Sequence, residues 1–223
     1  CGPHAVPGLL EHARALGVRV RGLSFHVGSQ AATPAKYIEA IRVCARLFAE
    51  TRQGGLAQFD TLDIGGGFPV DYSPRNPLPA IEDFCAPIRE ELRALPPGVR
   101  LIAEPGRFIA GPAAIAVATV MGRAHREGRW WYYLDDGVYG LYSGQLYDHA
   151  RYPISTFRTG PTHPSVLTGP TCDSIDVIDD NIELPELQMG DRVIGGVMGA
   201  YTWAHATEFN FFPRPPVVSV NLE

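Results

Sequence analysis

The chain has 223 residues, a formal net charge of −5 and 45% apolar residues, the balance of a soluble globular protein long enough for one large domain or two small ones. No basic stripe runs through it, which argues against nucleic acid as a partner, and no apolar run could span a bilayer or serve as a signal peptide, which argues against a membrane. The cysteines (Cys1, Cys44, Cys85, Cys172) are scattered without metal-ligand spacing, so a reduced, cytoplasmic protein without a metal site is expected.

Residues 7–16 read as a helix, with Pro7 in the first turn, Leu9, Leu10, Ala13 and Leu16 on one face, and Gly17 as its stop. Residues 18–25 read as a strand ending at His26. Thr33 and Pro34 open a second helix, as cap and first residue, with Ile38, Ile41, Ala45 and Phe48 on its apolar face. Residues 61–64 form a short strand running into Gly65, Gly66 and Gly67. A third helix covers 81–95, with Pro87 inside it, and a third strand covers 99–103 before Glu104-Pro105-Gly106-Arg107. This is a βαβα rhythm with polar and glycine residues at the carboxyl ends of strands, where α/β barrels build their sites.

Past Gly111 the pattern changes. Residues 115–120, 131–134, 165–168, 191–194 and 217–220 read as strands separated by turns, with 158–164 as a loop. A mostly antiparallel β domain is expected over 112–223, after an α/β domain over 1–111.

Three successive strand ends carry groups suited to a flat, phosphorylated, nitrogen-bearing ring. His26 can stack on such a ring and Ser29 can bond a phosphate oxygen, though a loop histidine satisfied locally is the plain alternative. Gly65–Gly67 expose backbone N–H groups to an anion. Glu104 and Arg107 supply a held acid and a forked cation, unless they form an ordinary ion pair. Further along, Tyr139, Asp148 and Tyr201 offer polar groups. In residues 167–176 (LTGPTCDSID), Cys172 can give a proton to a carbanion and Asp173 can hold an ammonium group; an inert packed cysteine is the alternative.

These segments, FHVGSQ (25–30), LDIGGGFP (62–69), AEPGRF (103–108), DDGVYG (135–140), LYDHA (146–150), GPTCDSID (169–176) and MGAYT (198–202), together resemble the fold-type III pyridoxal-phosphate decarboxylases, and within them the bacterial ornithine decarboxylase branch. The resemblance implies the C-terminal half of a TIM-like (β/α)8 barrel followed by an antiparallel β domain, an alanine racemase-like architecture with its N-terminal part missing. It implies that pyridoxal 5'-phosphate is held by His26 on the ring, by Ser29, Gly65, Gly66, Gly67, Arg107 and Tyr201 at the phosphate, and by Glu104 at the pyridine nitrogen. Asp148 would bind the distal ammonium of a small amino-acid substrate, while Tyr139, Cys172 and Asp173 would reach into the site of a partner subunit, Asp173 helping to bind the ammonium and Cys172 acting as the catalytic acid. A head-to-tail homodimer with shared sites is implied too. The one lysine, Lys36, stands in no motif of the family, so the cofactor-bonding lysine is expected elsewhere, in a missing N-terminal part or a separate lysine-bearing half. The implied reaction is ornithine to putrescine, with lysine/ornithine or diaminopimelate decarboxylation as alternatives, although Asp173 favours a diamine product over diaminopimelate chemistry; a catalytically inactive regulatory homologue is the non-enzyme alternative.

Overall fold

The computed structural model describes residues 1–72 and 78–220. The chain divides into two compact units, Cys1–Pro69 with Leu78–Gly106, and Val70–Pro77 with Arg107–Glu223.

The first unit alternates helix and strand: α1 (Val6–Ala15), β1 (Gly22–Ser24), α2 (Ala35–Gln53), β2 (Thr61–Asp63), α3 (Ile81–Leu92) and β3 (Arg100–Ile102). The strands pair in parallel in the order β1-β2-β3. Parallel pairing needs a crossover between neighbours, and α2 and α3 supply the two. All three strands therefore end at the same edge of the sheet, and the segments that leave them lie side by side.

The helices begin close to the expected places but present different faces. In α1, Val6 and Leu10 are buried, whereas Leu9 and Leu16 are exposed. Gly17, at φ +71°, ends the helix in a conformation that favours glycine. In α2 the cap residue is Pro34, with no side-chain capping bond, and the buried stripe is Tyr37, Ile41, Cys44, Leu47, Phe48 and Thr51. Its spacing of three and four places the stripe on one side; Ile38 and Ala45 fall at the margin of that stripe and are half-buried. The ring of Tyr37 packs on Phe68 at 5.2 Å and edge-on to Phe84 at 6.0 Å. The α3 helix runs through Pro87 and stops at Leu92. Proline removes the bond to the carbonyl four residues back, here that of exposed Asp83, where water can replace it.

The second unit holds α4 (Gly106–Ala110), β4 (Ala116–Arg126), β5 (Arg129–Leu134), α5 (Gly144–Asp148), β6 (Ile154–Thr156), β7 (Thr162–Thr168), β8 (Val177–Pro185) and β9 (Arg192–Gly195). Its sheet has the order β6-β9-β4-β5-β7-β8. The β4–β5 hairpin turns on Glu127 and Gly128, both at positive φ, as a two-residue hairpin loop requires. Ala116, Ala118 and Val120 alternate inward along β4, and Tyr132 and Leu134 do so along β5. They form one core with Leu167, Leu187 and Val193. The pairing is antiparallel except between β5 and β7, which are parallel neighbours.

Several expectations are corrected here. Residues 162–164 open β7 rather than closing a loop, and β6 and β8 are additional strands. Residues 217–220 form no strand; Val217, Val218 and Val220 are at least 73% exposed and pair with no strand among the described residues. Among the described residues no helix is long and apolar enough to cross a membrane, and no group of three or more His, Cys, Asp or Glu could hold a metal ion.

Candidate active site

In the first unit the strand-end segments are stitched together. Phe25 N–H donates to the Asp63 carbonyl, Ile64 N–H to the Ile102 carbonyl and Glu104 N–H to the Gly65 carbonyl. Two of the three glycine N–H groups are engaged. Gly65 donates to Asp63 Oδ1 at 2.9 Å and Gly66 to His26 Nδ1 at 3.3 Å. The second bond makes Nδ1 an acceptor, so a neutral His26 carries its proton on Nε2. Tyr37 donates its hydroxyl to the Gly66 carbonyl at 2.8 Å. Glycine is required here by proximity: a Cβ on Gly66 would stand 2.8 Å from the Glu104 carbonyl oxygen, and one on Gly67 would collide with the Gly28 carbonyl. His26, Ser29 and Glu104 are exposed beside this close-packed backbone.

In the second unit Arg107, on α4, is the buried cation, at 7% exposure. Its guanidinium donates to Asp148 Oδ2 at 2.5 Å and to the Tyr72 hydroxyl at 3.0 Å. It lies 4.6 Å from the centre of the Tyr201 ring, in cation–π contact. Burial works against the charge, but the bonds to Asp148 and Tyr72 outweigh it and hold the Arg107 pKa above its ordinary value. Tyr201 reaches this place because Gly199 lets the 198–202 turn press onto the end of α4, where any Cβ would enter the Ala110 carbonyl. Tyr201 is half-exposed. Asp148 ends α5, and His149 after it turns the chain at φ +53°.

A second cluster in this unit forms where β5 and β7 end. Tyr139 donates its phenol to Asp173 Oδ2 at 2.5 Å. That bond, with the Ile175 N–H, holds the Asp173 carboxyl below its ordinary value, and it pushes the Tyr139 phenol up to about 12. Cys172 is exposed, and its thiol donates to Asn210 Oδ1 at 3.6 Å. Phe209 stacks on Tyr139 at 4.4 Å. The thiol, the carboxylate and the phenol are thus grouped, with the carboxylate ionised at neutral pH.

Residues 2–111 match the family model for the pyridoxal-dependent decarboxylase, pyridoxal binding domain. The chain belongs to the pyridoxal-dependent decarboxylases. It is 42% identical over 212 residues to a lysine/ornithine decarboxylase of Selenomonas ruminantium, covering 94% of this chain and 53% of that protein. It is 36% identical over 227 residues to an ornithine decarboxylase of Cricetulus griseus, covering 95% of this chain and 50% of that protein. The crystal structure of a Vibrio vulnificus lysine/ornithine decarboxylase complexed with cadaverine superimposes with a TM-score of 0.96 at 53% identity, over 100% of this chain and 61% of that one. The same enzyme complexed with putrescine matches at a TM-score of 0.95, over 99% of this chain and 60% of that one. The chain spans about half the length of the curated relatives it matches. The parallel α/β unit followed by a separate sheet is consistent with the fold-type III architecture of these decarboxylases.

Sequence reasoning missed four residues around these sites. Tyr72 bonds Arg107, and Asn210 bonds Cys172. Asp136 and Asp176 are buried carboxylates that organise the segments bearing Tyr139 and Cys172. Asp136 carried a signal, since it stands directly before Gly137 inside a quoted motif, where a carboxylate bonds nearby backbone N–H groups; Asp176 has no glycine next to it and carried none.

Proposed function

We propose that this chain is part of a pyridoxal-phosphate-dependent decarboxylase that converts L-ornithine to putrescine and carbon dioxide, a step of polyamine synthesis. The observation that carries the reading is the Cys172–Asp173 pair on one connection, with Asp173 kept ionised by Tyr139. A thiol and an anionic carboxylate one residue apart suit a substrate that needs a proton at one carbon and a counter-charge for a distant ammonium.

The residues of the first unit fit the cofactor. The glycine backbone packs too closely for side chains, and Gly67 N–H has no acceptor among the described residues, so it is available to an anion. With Ser29, Arg107 and Tyr201 it would hold the phosphate, while Gly65 and Gly66 build the turn. His26 would face the ring, and Glu104 would keep the pyridine nitrogen protonated. The bound cofactor supplies an electron sink for the carbanion that decarboxylation leaves. Asp148 and Asp173 bind the distal ammonium, and Cys172 delivers the proton to the α-carbon. The reading takes the cofactor-bonding lysine from outside this chain, because Lys36 is exposed in the first turn of α2. It places the first unit in a TIM-like barrel and the active protein in a homodimer with shared sites.

A second reading, a lysine/ornithine decarboxylase, is favoured by two of the relatives above. Ornithine and lysine differ by one methylene, worth only about 1–3 kcal/mol of discrimination. Carbon dioxide release from the two amino acids by the longer protein that carries this chain decides the matter. A higher kcat/KM for ornithine supports the first reading, equal values support the second, and no release from either overturns both. Turnover by this chain alone would sink the assignment of the lysine to another segment.

A further inference from the structure

Because β5 and β7 are parallel neighbours, the segments that follow them, 135–143 and 169–176, leave the sheet side by side. The first carries Tyr139 and the second Cys172 and Asp173. Asp176, the last residue before β8, is 2% exposed and lies between the two segments. Its Oδ1 accepts the Val138 N–H at 2.9 Å. Its Oδ2 accepts the Thr171 N–H at 3.0 Å and the Thr171 hydroxyl at 2.7 Å. The Asp176 carbonyl accepts the Gly169 N–H at 2.8 Å, and the Asp176 N–H donates to the Asp173 carbonyl at 3.1 Å. A Cβ on Gly137 or Gly169 would enter the carboxylate. Each oxygen therefore holds the peptide one residue ahead of a functional side chain: Val138 before Tyr139, and Thr171 before Cys172.

Asp136 provides the contrast. It is also buried, but it uses one oxygen, Oδ1, for both the Gly137 and Leu141 N–H groups, and so closes only its own turn. An amide could replace that carboxylate, since an asparagine oxygen accepts two bonds. An amide cannot replace Asp176, because its NH2 would face either the Val138 N–H or the Thr171 donors.

We propose that Asp176 is a positioning residue that clamps the two segments together, setting Tyr139 against Asp173 and fixing where Asp173 and the Cys172 thiol are presented to the substrate. The clamp itself stands on the geometry; its service to a diamine-forming reaction rests on the function proposed above.

The test is a spectrophotometric titration of the Tyr139 phenol in this chain, with Tyr139→Phe as the blank. Asp176→Asn is expected to move that titration down by about one pH unit or more, toward the range of an unperturbed tyrosine, while Asp136→Asn leaves it in place. Thr171→Val keeps the Asp176 charge and removes one bond to it, so a smaller shift in the same direction reports position rather than charge, and this variant is read even if Asp176→Asn fails to fold. An unmoved phenol in Thr171→Val overturns the proposal. Equal shifts in Asp176→Asn and Asp136→Asn overturn it as well, since they indicate general loosening. The functional service is tested separately by putrescine binding: Asp173→Asn and Asp176→Asn are both expected to weaken it. If Asp173→Asn binds putrescine as before while the phenol shifts stand, the ornithine reading falls and the clamp remains.

Discussion

Tyr139 and Asp173 stand 2.5 Å apart, phenol oxygen to carboxylate oxygen, and each displaces the titration of the other. The phenol is the first cause of the low Asp173 pKa, with the Ile175 N–H second. Tyr139→Phe is therefore expected to raise the Asp173 pKa, read by NMR titration of its carboxyl carbon. A depressed carboxylate contributes stability above its unfolded pKa that is lost as pH falls through the folded one. The pair is half-buried and screened in part by solvent, so the change in stability should be slight. An unchanged Asp173 titration would show that the backbone bond alone holds the carboxylate.

Arg107 and Asp148 present a different relationship. The resemblance gave Arg107 to a phosphate and Asp148 to an ammonium, yet the two side chains are paired with each other. A buried guanidinium needs a counter-charge, and removing one partner of a buried pair costs about 3–5 kcal/mol; Asp148 is partly exposed, so the lower end applies. Asp148→Asn should therefore lower the melting temperature. Inorganic phosphate, tested against chloride at matched ionic strength, should restore more of it in the variant than it adds to the parent chain. Phosphate with no greater effect on the variant would mean that Arg107 is closed to anions.

The sequence made the parallel unit legible because glycine and proline punctuate it and its helices carry apolar stripes. It misplaced the faces of α1 and α2 by about one residue, since Leu9 and Ile38 satisfy helical spacing without reaching the core. The β8 strand was hidden by Asp179, Asp180 and Glu183, polar residues that an edge strand can turn to solvent. Residues 217–220 erred the other way: valines favour strands, but a strand needs a partner, and none is paired there among the described residues. Single residues such as His26, Glu104 and Cys172 were legible from their motifs. The Arg107–Asp148 pairing and the Asp176 clamp were not, because each joins residues far apart in the chain.

Asp136 should govern part of the pH dependence of stability. Burial is the main cause that raises its carboxyl from 3.8 to about 6, with Asp135 and Asp176 adding to it and the Leu141 and Gly137 N–H groups opposing it. The folded-state pKa is raised, so the folded form keeps a proton that the unfolded form releases. Stability therefore falls as pH rises from about 4 to 6, and the cost of the buried charge is fully present above that window. The shift corresponds to about 3 kcal/mol. Asp136→Asn keeps the oxygen that accepts both N–H groups and removes the charge. The variant should be at least as stable as the parent at neutral pH, with a flatter dependence between pH 4 and 6 in denaturant titrations. A large loss of stability at neutral pH would mean that the charge itself holds the turn.

The glycine run allows a comparison that separates backbone strain from steric exclusion. Gly98 lies at φ +84° with open space where a Cβ would sit, whereas Gly67 lies at φ +102° and a Cβ there would strike the Gly28 carbonyl. Gly98→Ala should cost only the left-handed conformation, about 1–2 kcal/mol. Gly67→Ala should cost more, because the loop after β1 must also give way to admit the methyl group. It should weaken pyridoxal-phosphate binding too, followed by the absorbance of the added cofactor, while Gly98→Ala leaves binding unchanged. Gly66→Ala provides an intermediate case: its backbone needs no positive φ, but its Cβ would stand 2.8 Å from the Glu104 carbonyl oxygen and 3.3 Å from the His26 ring. Its stability loss should come with a displaced His26, visible as a change in the imidazole resonances. Equal losses in all three variants would mean that the close approach of the three strand ends contributes nothing beyond the conformational preference of glycine.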